Sequence, residues 1–236
     1  MKPIRRNFAH LTQAERDAYV TAVNQIDVVK AFPDGVSYWD KQDQIHQSTH
    51  VHGGPAFVPW HRELVNRYEA MLQEIDPTVA LHYWDWTVDP RNAPDGAGGT
   101  VDLMTPNNMG SDAGRVGPPF ENLDNDGNAA GARPPNDPNA DFTLPPQEIT
   151  RNVGPGAPVI SSDAAIITSG DGLPQNQQWQ TFRTTLESNH NTVHGFIGGD
   201  IGLGHSAFED PFVFLLHSNV DRLWAMWQTQ PATSGA

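Results

Sequence analysis

Ten histidines stand in a chain of 236 residues that contains no cysteine. His190 and His194 lie four apart in a helical stretch, so at about 3.6 residues per turn both imidazoles leave one face and can share a metal ion. His217 follows in Leu215-Leu216-His217-Ser218-Asn219, embedded in an otherwise apolar helical face. Taken singly, such an arrangement is weak evidence, because a lone histidine on an apolar face is more often a satisfied core residue. The first half of the chain repeats the design. His61 opens a helix in Val58-Pro59-Trp60-His61-Arg62, His52 precedes it in a glycine-bearing loop, and His46 lies upstream on a short helix. Two groups of three imidazoles, each split over two elements, predict two metal sites. Ligation by imidazole alone, with no thiolate or carboxylate, favours copper or zinc over magnesium, calcium or manganese.

The elements that must carry these histidines read as helices. Thr12 followed by Glu15 is a capping-box start for a helix reaching Ala31, with Tyr19, Val20, Val23 and Ile26 at helical spacing. A short helix is expected from Tyr38 to Thr49. Leu64, Val65, Tyr68, Leu72 and Ile75 define an amphipathic helix from Trp60, stopped by Asp76-Pro77. Leu81 to Trp86 is a short aromatic segment. Helical patterns return at Trp179 to Ile197 and at Phe208 to Gln228. Between Trp86 and these two, residues 91–175 are dense in Gly, Pro, Asn and Asp, with weak strand candidates from Pro158 to Thr168. The expected fold is all-α: one domain over residues 1–236, with a four-helix bundle core holding both metal sites. Its first metal-binding half covers about 1–90, a long irregular surface excursion about 91–175, and the second half about 176–230.

Composition narrows the function. Against 14 basic residues stand 28 acidic ones, a formal charge of −14, which argues against nucleic acid or an anionic membrane as partner. Without cysteine there is no disulfide, thiolate-bound zinc, iron–sulfur cluster or thiol catalysis. No apolar run approaches the ~20 residues that span a bilayer. The basic start, Met1 to Phe8, has no apolar stretch behind it, so no signal peptide is expected; the chain reads as cytoplasmic or as a mature secreted form.

The segment His52-Gly-Gly-Pro-Ala-Phe-Val-Pro-Trp-His61-Arg62 resembles the first copper-binding motif of tyrosinases, catechol oxidases and molluscan haemocyanins. Tyr83-Trp84-Asp85-Trp86 is similar to the stretch that follows it. His190-Asn-Thr-Val-His194 with Ile197-Gly-Gly resembles the start of the second copper motif, and Asp210-Pro211 through His217 to Asp221-Arg222-Leu-Trp224 its end. Ile4-Arg-Arg-Asn7 with Leu11-Thr-Gln-Ala-Glu15 is similar to the opening of bacterial tyrosinases. The resemblance implies two copper ions, one held by His46, His52 and His61 and the other by His190, His194 and His217. His50 rivals His46, because only five residues separate His46 from His52. Leu216, where many members carry another histidine, and the missing cysteine are departures from the pattern.

The same resemblance implies O2 and small phenols as reactants: hydroxylation of monophenols and oxidation of o-diphenols to o-quinones. In tyrosinases a glutamate and an asparagine are proposed to hold a water that takes the phenol proton, and Glu187 and Asn191 match that pair in kind. Gly195 puts no side chain beside the second-site histidines. Asp221 and Asn219 are candidates for orienting the imidazoles, and Phe57, Trp60, Phe212 and Phe214 for walling the site. A copper-delivery protein is not legible. The alternatives are a catechol oxidase or o-aminophenol oxidase without hydroxylation, and a haemocyanin-like O2 carrier. A zinc hydrolase fits poorly, since the expected general-base carboxylate motif is absent.

Overall fold

The computed structural model describes residues 3–49, 51–121, 123, 148–204 and 206–230. Among them the chain is helical wherever the apolar period demanded it: α1 (Gln13–Val28), α2 (Asp40–Gln47), α3 (Phe57–Ile75), α4 (Asp163–Ile167), α5 (Gln175–Ile197) and α6 (Phe212–Gln228). The all-α expectation holds. Among the described residues strands are confined to two small antiparallel pairs, Ala93–Pro94 (β1) with Thr100–Val101 (β2), and Ala113–Arg115 (β3) with Thr150–Asn152 (β4). No described helix is long and apolar enough to cross a membrane.

Helix α1 starts where its caps dictate. The Thr12 hydroxyl accepts from the Glu15 N–H while the Glu15 carboxylate accepts from the Thr12 N–H, so two end donors are satisfied at once. Its buried face, Tyr19, Val20, Val23 and Ile26, packs toward α3, and α3 in turn lies along α6. In α3 and α6 the buried positions include His61 and His217 beside aliphatic and aromatic neighbours. The same packing that buries apolar surface therefore carries two of the candidate ligands into the core. Arg5 and Arg62 both reach Asp221 on α6, and Arg62 also lies over the Trp224 ring, 3.6 Å from its centroid.

The segment between the two halves departs from its sequence reading. The strand candidates at Pro158 to Thr168 give instead the short helix α4, whose start is capped by Ser162. The segment also does more than lie on the surface. Leu103, Met109, Phe120 and Ile149 are buried in the same core as the long helices. Arg151 on β4, fully buried, holds Asp210 through two 2.6 Å hydrogen bonds and donates to the Met109 carbonyl at 2.6 Å. Asp210 meanwhile accepts from the Phe212 N–H at 2.9 Å, at the start of α6. Apolar period could not show this, because the anchors are single residues spaced through loops.

Gly199 explains the Gly-Gly after α5. A Cβ there would meet the Thr150 carbonyl oxygen at 2.1 Å, and φ is +56°. Only glycine lets β4 pass this close to the turn after α5.

Candidate metal centre

The six histidines expected as ligands form two clusters, and the clusters face one another. In each, the ligand-capable nitrogens lie within 4.8 Å of one another: His46, His52 and His61 in one, His190, His194 and His217 in the other. His61 and His217 stack at 4.7 Å between ring centroids, with planes 14° apart, and His52 lies 6.3 Å from His190. The i, i+4 pair on α5 behaves as its spacing requires, with His190 and His194 rings 4.3 Å apart. His50 and His205 lie outside the described residues, so the rivalry between His46 and His50 is answered only to the extent that His46 joins its cluster.

Backbone geometry decides which nitrogen of each ring is offered. His61 Nδ1 bonds the Phe57 carbonyl at 2.7 Å, His217 Nδ1 the Val213 carbonyl at 2.9 Å, and His194 Nδ1 the Ile201 carbonyl at 2.7 Å. A carbonyl only accepts, so Nδ1 carries the proton and Nε2 keeps its lone pair. His190 Nδ1 meets Asn191 Oδ1 at 2.9 Å, with the same consequence. Asp221 and Asn219 do not take this part. Asp221 binds Arg5 and Arg62, and Asn219 accepts from Arg222. Carbonyls one helical turn upstream supply the orientation for His61 and His217, a partner available at every helical position and therefore invisible as a residue type.

These nitrogens fit a metal. Among the described residues His61 Nε2 and His194 Nε2 are buried with no hydrogen-bond partner. His190 Nε2 and His217 Nε2 lie 3.0 Å apart, and two lone pairs that close repel unless a cation sits between them. Burial holds the imidazoles neutral. It pushes His61, His190 and His217 well below the ordinary histidine range and His194 down to about 4, helped for all four by charge on neighbouring imidazoles. Solvent-exposed His52 is lowered in the same direction. Neutral rings are what metal ligation requires.

Aromatic rings wall the clusters. Phe57 packs on His52, His61 and His190, and Trp60 on His61 and His46. Phe208, which sequence reasoning missed, contacts His46 at 4.4 Å and His217 at 4.9 Å, touching both clusters. It sits in a 3-10 turn (Ala207–Glu209) just before α6, so the helix expected from Phe208 begins only at Phe212, after Pro211. Phe212 and Phe214 belong to the core instead, against Trp84 and Tyr68.

Glu187 and Asn191 are both placed on α5 beside the second cluster. Glu187 is buried, and its two oxygens are bound to different halves of the molecule. One takes the Gly53 N–H at 2.6 Å, next to His52, and the other the Arg183 guanidinium at 2.8 Å. Asn191 is exposed, with its Oδ1 on His190.

Residues 34–230 match the common central domain of tyrosinase. The chain is 30% identical to the tyrosinase of Streptomyces glaucescens over 251 residues, covering 98% of this chain and 85% of that protein. Over 185 residues it is 29% identical to a G-type hemocyanin of Enteroctopus dofleini, covering 75% of this chain and 6% of that protein. Its fold matches a mutant polyphenol oxidase from Thermothelomyces thermophila with a TM-score of 0.71 at 25% identity, covering 98% of this chain and 72% of that one. The chain belongs to the tyrosinase family, whose binuclear type 3 copper centre the two facing histidine triads fit.

Proposed function

We propose that this chain is a phenol-oxidising enzyme that hydroxylates monophenols and oxidises o-diphenols to o-quinones with O2. His46, His52 and His61 hold one copper and His190, His194 and His217 the other. The observation that carries the reading is the pair of facing triads of neutral imidazoles, one of whose members, His52, opens to solvent. Two copper ions held there would supply redox chemistry toward O2 and Lewis acidity toward a phenolate oxygen. The residues do the rest. Phe57, Trp60 and Phe208 exclude water around the buried ligands, and backbone carbonyls hold the rings in register. A phenol must lose its proton to bind a metal well, and Glu187 with Asn191 are the groups beside the second triad able to hold a water for that task. Gly195, where an added Cβ would meet nothing within 4 Å among the described residues beyond its own stretch of helix, leaves room for bulky rings. In this reading the two halves and the segment between them work as one domain.

One observation favours a second reading, oxidation of o-diphenols or o-aminophenols without hydroxylation. Both Glu187 oxygens already have donors, Gly53 and Arg183, and the Asn191 oxygen is on His190. Parallel assays of the copper-loaded protein on tyramine and on dopa, with a copper count, separate the readings. Two coppers with quinone from both substrates support the first. Quinone from dopa alone selects the second, and reversible O2 binding with neither reaction means an oxygen carrier.

A further inference from the structure

Between α2 and α3 lies a cleft of about 560 Å3 that none of the six histidines lines. Its walls are three half-buried aromatic rings, Phe32, Tyr38 and Trp60, with Ile45, Leu64 and Met71. Phe32 and Tyr38 rest on each other at 4.9 Å. Volume and lining fall within the usual range of small-molecule sites, about 300–1,000 Å3. The cleft also touches the metal centre from behind: Ile45 and Trp60 each directly precede a first-triad histidine, and the Trp60 ring meets His61 edge-on at 4.9 Å.

The polar groups of the cleft are mostly acceptors. Gln42 is 1% exposed and gives its amide nitrogen to the Tyr38 carbonyl at 2.7 Å and to Met71 sulfur. Its Oε1 is left without a donor among the described residues. Glu63 and Glu74, both exposed, also line the cleft. Arg67 is the one cation in the lining. Its side chain is 73% exposed and tied at Nε to Glu63, while Lys30 reaches Glu74 from outside the lining. Aromatic faces beside carboxylates, with the carbonyl oxygen of a buried glutamine that accepts from no described residue, select a flat ring carrying a protonated amine.

We propose that this cleft binds a small arylalkylamine, ring among Phe32, Tyr38 and Trp60 and ammonium toward the Gln42 and glutamate oxygens. The proposal does not rest on the oxidation chemistry, and its test uses a ligand that cannot undergo it. The probe is 2-phenylethylamine, which has no ring hydroxyl, titrated calorimetrically into the copper-loaded protein at pH 7. Its anionic counterpart, 3-phenylpropionate, is titrated alongside. Saturable binding of the amine, with binding of the acid at least about tenfold weaker, is expected. Ala70→Trp, at an exposed α3 position lining the cleft, fills it without touching the core and should abolish the heat of binding. Glu63→Gln with Glu74→Gln should weaken the amine and not the acid. Absence of binding to the unaltered protein, equal binding of acid and amine, or undiminished binding to Ala70→Trp would each overturn the proposal.

Discussion

In the second triad all three histidines sit on long helices, α5 of 23 residues and α6 of 17. The first triad draws His46 from an eight-residue helix, His52 from a loop, and only His61 from a long helix. Rings of the second lie 4.3, 4.9 and 5.2 Å apart, those of the first 5.2, 5.3 and 6.0 Å. A helix places its side chains by its own hydrogen bonds, whereas a loop needs outside help. For His52 that help comes from the opposite half, through Glu187 and the Gly53 N–H. The contrast teaches that the second site is built locally, while the first is completed only when the two halves meet.

The largest effect should come from the proposed ligands. His194→Ala is expected to lower the copper count from two to one and reduce oxidation to background, measured by metal analysis and O2 uptake; retained activity would break the ligand assignment. His52→Ala should lose activity as fully while melting close to the parent temperature, because a loop ligand contributes little packing.

Next comes the buried Arg151–Asp210 pair, which ties β4 to the start of α6. Arg151→Met leaves a carboxylate buried without its partner, a loss of about 3–5 kcal/mol readable in denaturant titration. Second-site copper should weaken more than first-site copper; equal weakening would count against a local role for the pair.

Acid should act on a histidine outside both triads as well as on the triads themselves. His82 is buried against Phe8 and Tyr19 and accepts the Arg6 N–H at Nδ1. Burial, with the Arg6 charge, lowers it from 6.5 to about 4. As pH falls the unfolded chain takes up the proton first. The His82 contribution is therefore intact above about pH 6.5 and is lost progressively down to about pH 4, on the order of 3 kcal/mol. His82→Phe should flatten that part of the stability–pH curve; an unchanged slope would exclude His82 as its source.

Glu187 sharpens the comparison most directly. Glu187→Leu removes the acceptor for Gly53 and should weaken first-site copper about 10–100-fold, as loss of a supporting partner does, with the second site less affected. Glu187→Gln keeps an acceptor and should restore much of that affinity. If it also spares dopa oxidation but abolishes tyramine hydroxylation, the carboxylate serves as base as well as tie. The smallest effect is expected far from both sites, at the α1 cap, where Thr12→Ala should cost about 1 kcal/mol and leave copper binding alone.

Much of this molecule was legible from the chain. The long helices announced themselves by apolar period, and α1 by the Thr12–Glu15 pair. All six histidines expected as ligands are brought into the two clusters, because i, i+4 spacing and position on apolar helical faces are properties of short segments. What escaped was relational. Phe208 touches both clusters from a turn that the sequence reads as the start of a helix, and Arg151 reaches the core from a segment that reads as surface loop. The carbonyls of Phe57, Val213 and Ile201 orient the rings without any side-chain signature.

The sequence by itself determined which side chains could ligate a metal, which helices would carry most of them, and that an all-imidazole set suits copper or zinc. Local spacing settles such matters, since a helix converts sequence separation into direction. Only the tertiary structure decided that His61 would stack on His217 so that the triads face each other. It alone joined Glu187 to the loop of the opposite half, and aligned Trp60 between the first triad and a separate cleft. Those contacts join residues far apart in the chain, and their geometry follows from how whole helices pack rather than from any stretch within one.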